Sequence, residues 1–128
     1  MKHTEASLQT AVCKYLMYQY PQCMFNSDLS GSMKLTEIQA KRMKALRSGR
    51  AFPDLHIMEK KNNYGALFIE LKAEGTKLFK KNGDPITDHV AEQIECIKKL
   101  KDRGYYACIC IGFEQTKETI DNYMRGYL

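Results

Sequence analysis

Three charged residues occupy positions where alternation otherwise calls for apolar side chains. They are Asp54, Glu70 and Lys72, in the run "FPDLHIMEKKNNYGALFIELKAEG". Leu55 and Ile57 alternate with Asp54, His56 and Met58; Leu67, Ile69 and Leu71 alternate with Ala66, Phe68, Glu70 and Lys72. A period of two is the signature of a strand with one buried face. "KKNNYG" between the two runs reads as a turn, which predicts an antiparallel hairpin. Pairing brings the start of the first strand against the end of the second. Glu70 and Lys72 then share a face, roughly 6 to 7 Å apart by strand rise, and Asp54 joins them if the register allows.

Two carboxylates and an ammonium converging on one spot admit two readings. One is an ion-pair network in which Lys72 satisfies one or both acids. Such pairs rarely repay their desolvation, so they are weak candidates for pure stabilisation. The other is a divalent-cation site. Mg²⁺ takes hard oxygen ligands, commonly one or two carboxylates completed by waters and substrate phosphates, and Mn²⁺ accepts the same donors. The chemistry that fits is phosphodiester hydrolysis, with Lys72 either serving as base or orienting the attacking water and neutralising developing charge.

The elements that must position these groups can be read along the chain. "TEASLQTAVCKYLMYQY" places Leu8, Val12 and Tyr15 or Leu16 at helical spacing, with Thr4 as cap and Pro21 beyond the end. "NSDLSGS" reads as a loop. "KLTEIQAKRMKALRSG" has weaker periodicity through Leu35, Ile38, Met43 and Leu46, a short basic helix or irregular chain stopped at Gly49. After the hairpin, "GTKLFKKNGDPIT" reads as a mobile basic loop. A helix is predicted from about Asp88 to Arg103 on Val90, Ile94, Ile97 and Leu100 or Lys101, ended by Gly104. "YYACICIG" is the most hydrophobic run and predicts a central strand covered on both faces. "TKETIDNYMRGYL" predicts a terminal helix through Ile120 and Met124. The class is therefore α/β, a small mixed central sheet flanked by helices, in one domain over 1–128.

The bulk composition, 44% hydrophobic and 27% charged, is that of an ordinary globular protein. No apolar run is long enough to cross a bilayer and no hydrophobic signal segment opens the chain, so a cytoplasmic location is expected. The formal charge is +5, and its arrangement matters more than its total. From Lys34 to Arg50 six basic residues stand against one acid, Glu37, and "KLFKK" carries Lys77, Lys80 and Lys81. These groups flank the carboxylate stretch, an arrangement suited to a polyanion, although basic groups also serve to solvate a surface. The five cysteines are read as reduced, mostly small buried hydrophobes; Cys108 and Cys110 point to one face of their strand.

"PDL" followed by "IELK" resembles the PD-(D/E)xK nuclease signature at Pro53, Asp54, Glu70 and Lys72, and more specifically the VRR-NUC branch. Glu5 in the first helix, Gly49 before the Pro-Asp pair and Gln93 in the later helix match that branch, and the resemblance runs over roughly residues 5 to 115. It implies a restriction-endonuclease-like core. It also implies metal held by Asp54, Glu70 and the Leu71 backbone carbonyl, with Lys72 addressing the attacking water. Glu5 would reach the site from the first helix, either through a water of the ion or as the ligand of a second metal, and Gln93 would hold Lys72 or a water of the ion. Gln9, one turn from Glu5, would support the site or touch a phosphate. Where the family often has Ser or Thr before the helical Gln, this chain has His89, either a backbone contact or a half-solvated helix-start residue. His56 either supports the site or is simply a sheet residue. Tyr64, Tyr105 and Tyr106 either stack on bases or pack.

The implied function is a Mg²⁺- or Mn²⁺-dependent DNA endonuclease, structure-selective on branched DNA such as four-way junctions. The implied form is a homodimer resembling the stand-alone phage proteins of the family, which would act in the host cytoplasm. Alternatives are a nuclease for flap, nicked or plain duplex DNA, a non-catalytic nucleic-acid-binding module, and an unrelated protein whose hairpin charges form an ion pair.

Overall fold

The computed structural model describes residues 4–29 and 33–128. Its elements run α1 (Glu5–Gln19), β1 (Phe25–Ser27), α2 (Glu37–Ala45), β2 (Leu55–Ile57), β3 (Leu67–Lys72), α3 (Asp88–Asp102), β4 (Tyr106–Ile111) and α4 (Phe113–Met124). The four strands form one mixed sheet in the order β1-β2-β3-β4. β1–β2 and β2–β3 are antiparallel and β3–β4 is parallel, with α3 as the crossover. A parallel pair needs such a crossover, because a tight turn cannot reverse the chain twice.

The predicted hairpin forms with Leu55 opposite Ile69 and Ile57 opposite Leu67. Leu55, Ile57, Leu67, Ile69 and Leu71 are fully or almost fully buried, and with Leu8, Val12 and Leu16 of α1 and Ile120 and Tyr123 of α4 they make the core. α1 begins where the Thr4 hydroxyl accepts the Ser7 N–H at 3.1 Å, a cap contributing about 1 kcal/mol. α3 starts in the same way at Thr87 and ends before Gly104, whose φ of +89° only glycine adopts without strain. Among the described residues no helix is long and apolar enough to cross a membrane.

The fold departs from the sequence reading at four places. "NSDLSGS" is not wholly loop: Asn26 and Ser27, with Phe25, form the edge strand β1, while Ser30, Gly31 and Ser32 lie outside the described residues. β4 is not central but the opposite edge of the described sheet. Its apolar run is explained by helices, since both α3 and α4 pack against it. "GTKLFKKNGDPIT" is the expected loop, but one drawn into a turn, with Lys80 N–H donating to the Asp84 carbonyl and Ile86 N–H to that of Leu78, both at 2.8 Å. The tyrosines pack edge to face: Tyr64 on Tyr106 and Tyr105 on Phe68, each with ring centroids 5.2 Å apart. Of the two readings of these tyrosines, the structure shows the packing one. All five cysteines are free as expected, but only Cys110 is buried; Cys108 and Cys110 do share a face, their sulfurs 3.7 Å apart.

α2 is a helix, but not one made by burial. None of its nine residues is buried, and Ile38 is 80% exposed. Its start is fixed by a reciprocal cap in which Thr36 Oγ1 accepts the Gln39 N–H while Gln39 Oε1 accepts the Thr36 N–H. A helix this short is marginal by itself, and the Arg47–Asp28 ion pair ties its C-terminal end to the chain after β1.

Candidate active site

The β2–β3 register, continued by one residue, sets Asp54 across from Glu70. Asp54 is held there by its surroundings. Its Oδ2 accepts the Leu71 N–H at 3.0 Å. Its carbonyl accepts the Asp28 N–H at 2.8 Å and the Ser27 hydroxyl at 3.2 Å. Ala51, three residues upstream, has φ +60°, a conformation costing a non-glycine residue roughly 1–2 kcal/mol. That strain sits in the turn that aims Phe52, Pro53 and Asp54.

Glu70 is only 4% exposed, and its two oxygens fare differently. Oε1 accepts Gln93 Nε2 at 2.7 Å and lies 4.0 Å from Lys72 Nζ. Oε2 is buried and meets no donor among the described residues. Burial first, and then the neighbouring Asp54 carboxyl, push Glu70 up to about 9, against the relief from Lys72. Asp54 is also raised, by burial, although the Leu71 N–H opposes the shift. Two such acids in contact hold one proton between them, and Glu70 is the natural holder. With the proton on Glu70, the approach of Lys72 Nζ to Oε1 at 4.0 Å is a long contact between a cation and a neutral carboxyl, not a satisfied network.

A cavity of about 220 Å³ is lined by Glu5, Gln9, Asp54, Glu70, Leu71, Lys72, His89 and Gln93. Every residue named from the sequence for the centre of the site thus meets one space. Their roles in it differ. Gln93, 3% exposed, bridges Glu70 and His89, with 3.3 Å between its Nε2 and His89 Nε2. Gln9 donates to Ser27 Oγ and the Asp28 carbonyl, both at 2.7 Å, so it braces the segment that holds Asp54. Glu5 is exposed, yet its charge raises both Asp54 and Glu70. His89 is exposed at the rim. His56 is a sheet residue: its Nε2 lies 2.8 Å from the Pro53 carbonyl oxygen and its ring packs on Phe68.

Among the described residues no group of three or more His, Cys, Asp or Glu side chains has the arrangement of a metal cluster. The donor set is smaller: the carboxylates of Asp54 and Glu70, and the Leu71 carbonyl. In an extended strand a residue's N–H and C=O project to the same edge, so the Leu71 carbonyl lies on the edge whose N–H meets Asp54. An orphaned buried carboxylate oxygen beside a second acid, all hard oxygen, fits a dication that completes its shell with water and phosphate.

The structure adds groups that the sequence reading had not singled out. A second cavity, about 310 Å³, shares Asp54, Glu70, His89 and Gln93 with the first. It opens between α2 and α3, where Met43, Lys44, Arg47, Arg50 and Phe52 line it. Asp28, which pairs with Arg47 and holds Asp54, also lines it. The basic run from Lys34 to Arg50 was the available signal that this segment faces the site.

No family model and no curated protein matches the chain. Among solved structures, it is similar to one described as "VRR_NUC domain protein", at a TM-score of 0.70 and 22% identity, over 97% of this chain and 90% of that one. At that identity the likeness is one of fold, and the chain has the mixed-sheet α/β fold of that protein.

Proposed function

We propose that the chain is a divalent-metal-dependent DNA endonuclease. The observation that carries this reading is the buried, under-satisfied acid pair, Asp54 and Glu70, with Lys72 Nζ 4.0 Å from Glu70. Burying two acids against each other costs stability, and the Leu71 N–H, Gln93 and Lys72 offset that cost only in part, since both acids remain raised. A bound dication does. Its residues would be Asp54, Glu70 and the Leu71 carbonyl, with Glu5 acting through water. When bound, Mg²⁺ or Mn²⁺ would polarise the scissile phosphate and make an attacking water more acidic.

The chain's own groups have separate tasks. Gln93 fixes one Glu70 oxygen and leaves the other open. Ser27 and Asp28, braced by Gln9, hold the Asp54 backbone. Lys72, 8% exposed, keeps an amine beside the reacting phosphate, where it orients the attacking water or offsets charge developing on phosphate oxygen. The basic residues of the α2 segment supply backbone contacts, which position DNA without reading its sequence.

The substrate we infer is branched DNA, cut by two symmetric copies that present one site to each of two strands. This part rests on the family resemblance of the motif and on the absence of any base-reading element among the described residues. The test is cleavage of four-way junction, flap, nicked, linear duplex and single-stranded DNA in Mg²⁺ and in Mn²⁺, with sedimentation for mass. Metal-dependent cutting that disappears in Lys72→Ala is the expected result. Equal cutting by that variant, or no cutting of any substrate with either ion, overturns the assignment.

A further inference from the structure

The cavity holding the acids continues beyond Phe52. Gly49, Arg50 and Phe52 line it and also line a larger cavity, about 610 Å³, that follows α3 past Cys96, Leu100 and Arg103. That volume lies in the range of pockets that enclose small ligands. Glu92, Cys96, Lys99 and Arg103 recur at helical spacing, so one face of α3 forms its wall. The interior is apolar, with Phe52, Cys96 and Leu100 half-buried, and the rim is charged: Arg50, Lys99 and Arg103 are exposed, against Glu92 and Glu95. Three cations against two acids leave the rim positive.

A paired duplex has little to offer such a trough, because its bases are stacked inside and its phosphates face outward. An unpaired strand offers both required surfaces: flat apolar base faces for the interior and phosphates for the rim. Phe52 stands where the two cavities meet, the position for a ring that stacks on the first base past the cleavage point. Continuity with the acid pair also selects the occupant, since a strand being cut must leave that pair in some direction.

We propose that an unpaired DNA strand leaves the Asp54–Glu70 centre over Phe52 and lies along α3 between Arg50 and the Lys99–Arg103 rim. The preferred branched substrate therefore exposes unpaired nucleotides beside the cleavage point. This rests on the nuclease reading for its direction, but the trough can be tested without cleavage. The probe is a fluorescein-labelled single-stranded oligonucleotide of mixed sequence, with a paired duplex of equal length, titrated by anisotropy against the metal-free protein at several salt concentrations.

In Lys99→Glu/Arg103→Glu, single-strand affinity should fall at least about tenfold, with the salt slope smaller by roughly 0.7 per lost phosphate contact. Phe52→Ala should weaken it about fivefold or more, the range for one lost base stack. Duplex affinity should fall much less in both. Unchanged single-strand affinity, or equal losses on single strand and duplex, overturns the trough. Lys99 and Arg103 are exposed, and substituting them removes the hydrogen bond from Arg103 Nη1 to the Lys99 carbonyl. Lys99→Gln/Arg103→Gln adds no acid at the end of α3 and, checked by circular dichroism, decides even if Phe52→Ala or Lys99→Glu/Arg103→Glu folds poorly. Cleavage by the wild-type protein in Mn²⁺ is scored separately: its absence sinks the nuclease reading, while the anisotropy result still decides what the trough binds.

Discussion

Asp121 on α4 and Glu70 on β3 are both withdrawn from water, at 6% and 4% exposure, and the chain treats them oppositely. Asp121 receives hydrogen bonds from the hydroxyls of Tyr15 at 2.5 Å and Tyr20 at 2.6 Å, and from Lys117 Nζ at 3.0 Å. Burial alone would raise it, but those donors win, and its carboxyl is held below the ordinary range. Tyr20 is pushed far up, by burial and then by the same hydrogen bond. Glu70 has one good donor, Gln93, a long contact with Lys72 at 4.0 Å, a second acid beside it and an orphaned oxygen; it is raised. The same fold that completes one buried carboxylate leaves another incomplete. Asp121 is a clasp between α1 and α4. On the proposed function, Glu70 belongs to a site that a dication would complete.

That contrast can be broken most severely by exchanging function against stability. Asp54→Ala and Lys72→Ala should each reduce cleavage by about 10²–10⁴-fold, the usual range for losing one catalytic or charge-stabilising group, while circular dichroism stays native. Glu70→Gln should lose cleavage to a similar degree. Because it keeps the side-chain shape and removes a raised acid, it should leave the metal-free melting temperature at pH 8 unchanged or higher. A large fall in melting temperature for Glu70→Gln would show that the pair is a stabilising network after all.

The reciprocal change is Asp121→Asn. Three donors lose their charged acceptor, and hydrogen bonds to charged groups contribute about 1.5–3 kcal/mol. Urea unfolding should report a loss of that size, with cleavage at low temperature close to normal. Native stability in this variant would remove the clasp from one side of the comparison.

pH separates the two acids by sign. Glu70's folded value, about 9, lies above its ordinary 4.5. The fold therefore favours the protonated form: its contribution is fully present below pH 4.5 and is lost as pH rises toward 9. Asp121 is lowered, so its contribution is present above its ordinary 3.8 and lost as pH falls through the lower folded value. In chelator, melting temperature should decline from about pH 5 to 9; Glu70→Gln should flatten that decline and Mg²⁺ should oppose it most at high pH, where the ligands are ionised. A flat profile for the wild-type protein would contradict the raised Glu70.

Much of this arrangement was legible in the sequence because it depends on local periodicity. Alternation in two short strands put Asp54, Glu70 and Lys72 on one side. Gln93 was singled out by the motif resemblance alone, since helical spacing gave the stripe of α3 to Val90, Ile94 and Ile97 and the structure buries Gln93 in place of Ile94. What was missed depends on long-range partners. Asp121 sits in "TKETIDNYMRGYL" as an ordinary helix-surface acid, and only a contact across 106 residues brings Tyr15 to it. β1 has three residues, too few for alternation to register, and it exists because β2 offers an unpaired edge. β4 was taken as central from its apolar run, but cover by α3 and α4 gives an edge strand the same composition. The "TEIQ" cap of α2 was legible and went unread; the helix looked doubtful because its apolar residues do not pack. Its faces point toward the site cavity and solvent instead.

Smaller effects sharpen the picture of how Glu70 is held. Gln93→Ala removes the one strong donor on Glu70 and its link to His89. Losses of this indirect kind typically cost 10–100-fold in metal affinity or activity. Titration with Mn²⁺ should therefore show weaker binding along with slower cleavage, and Gln93→Glu should not rescue it, since it adds a third acid. Equal Mn²⁺ affinity in Gln93→Ala would reduce Gln93 to packing.

Glu5 should give the smallest change. It is exposed and among the described residues belongs to no cluster of three metal-binding side chains, but it lines the same cavity as the acid pair and its charge raises both of them. Water screens that charge, so its influence is weak compared with the contact between Asp54 and Glu70. Glu5→Gln should slow cleavage by less than about tenfold, the loss of a water-mediated or purely electrostatic contribution, and should make the metal-free decline with pH slightly shallower because Glu70 feels one charge fewer. These two readouts move together only if Glu5 acts through the acid pair. A hundredfold or greater loss of cleavage with no change in the pH profile would instead make Glu5 a direct ligand, and the site would then hold more than two carboxylates can.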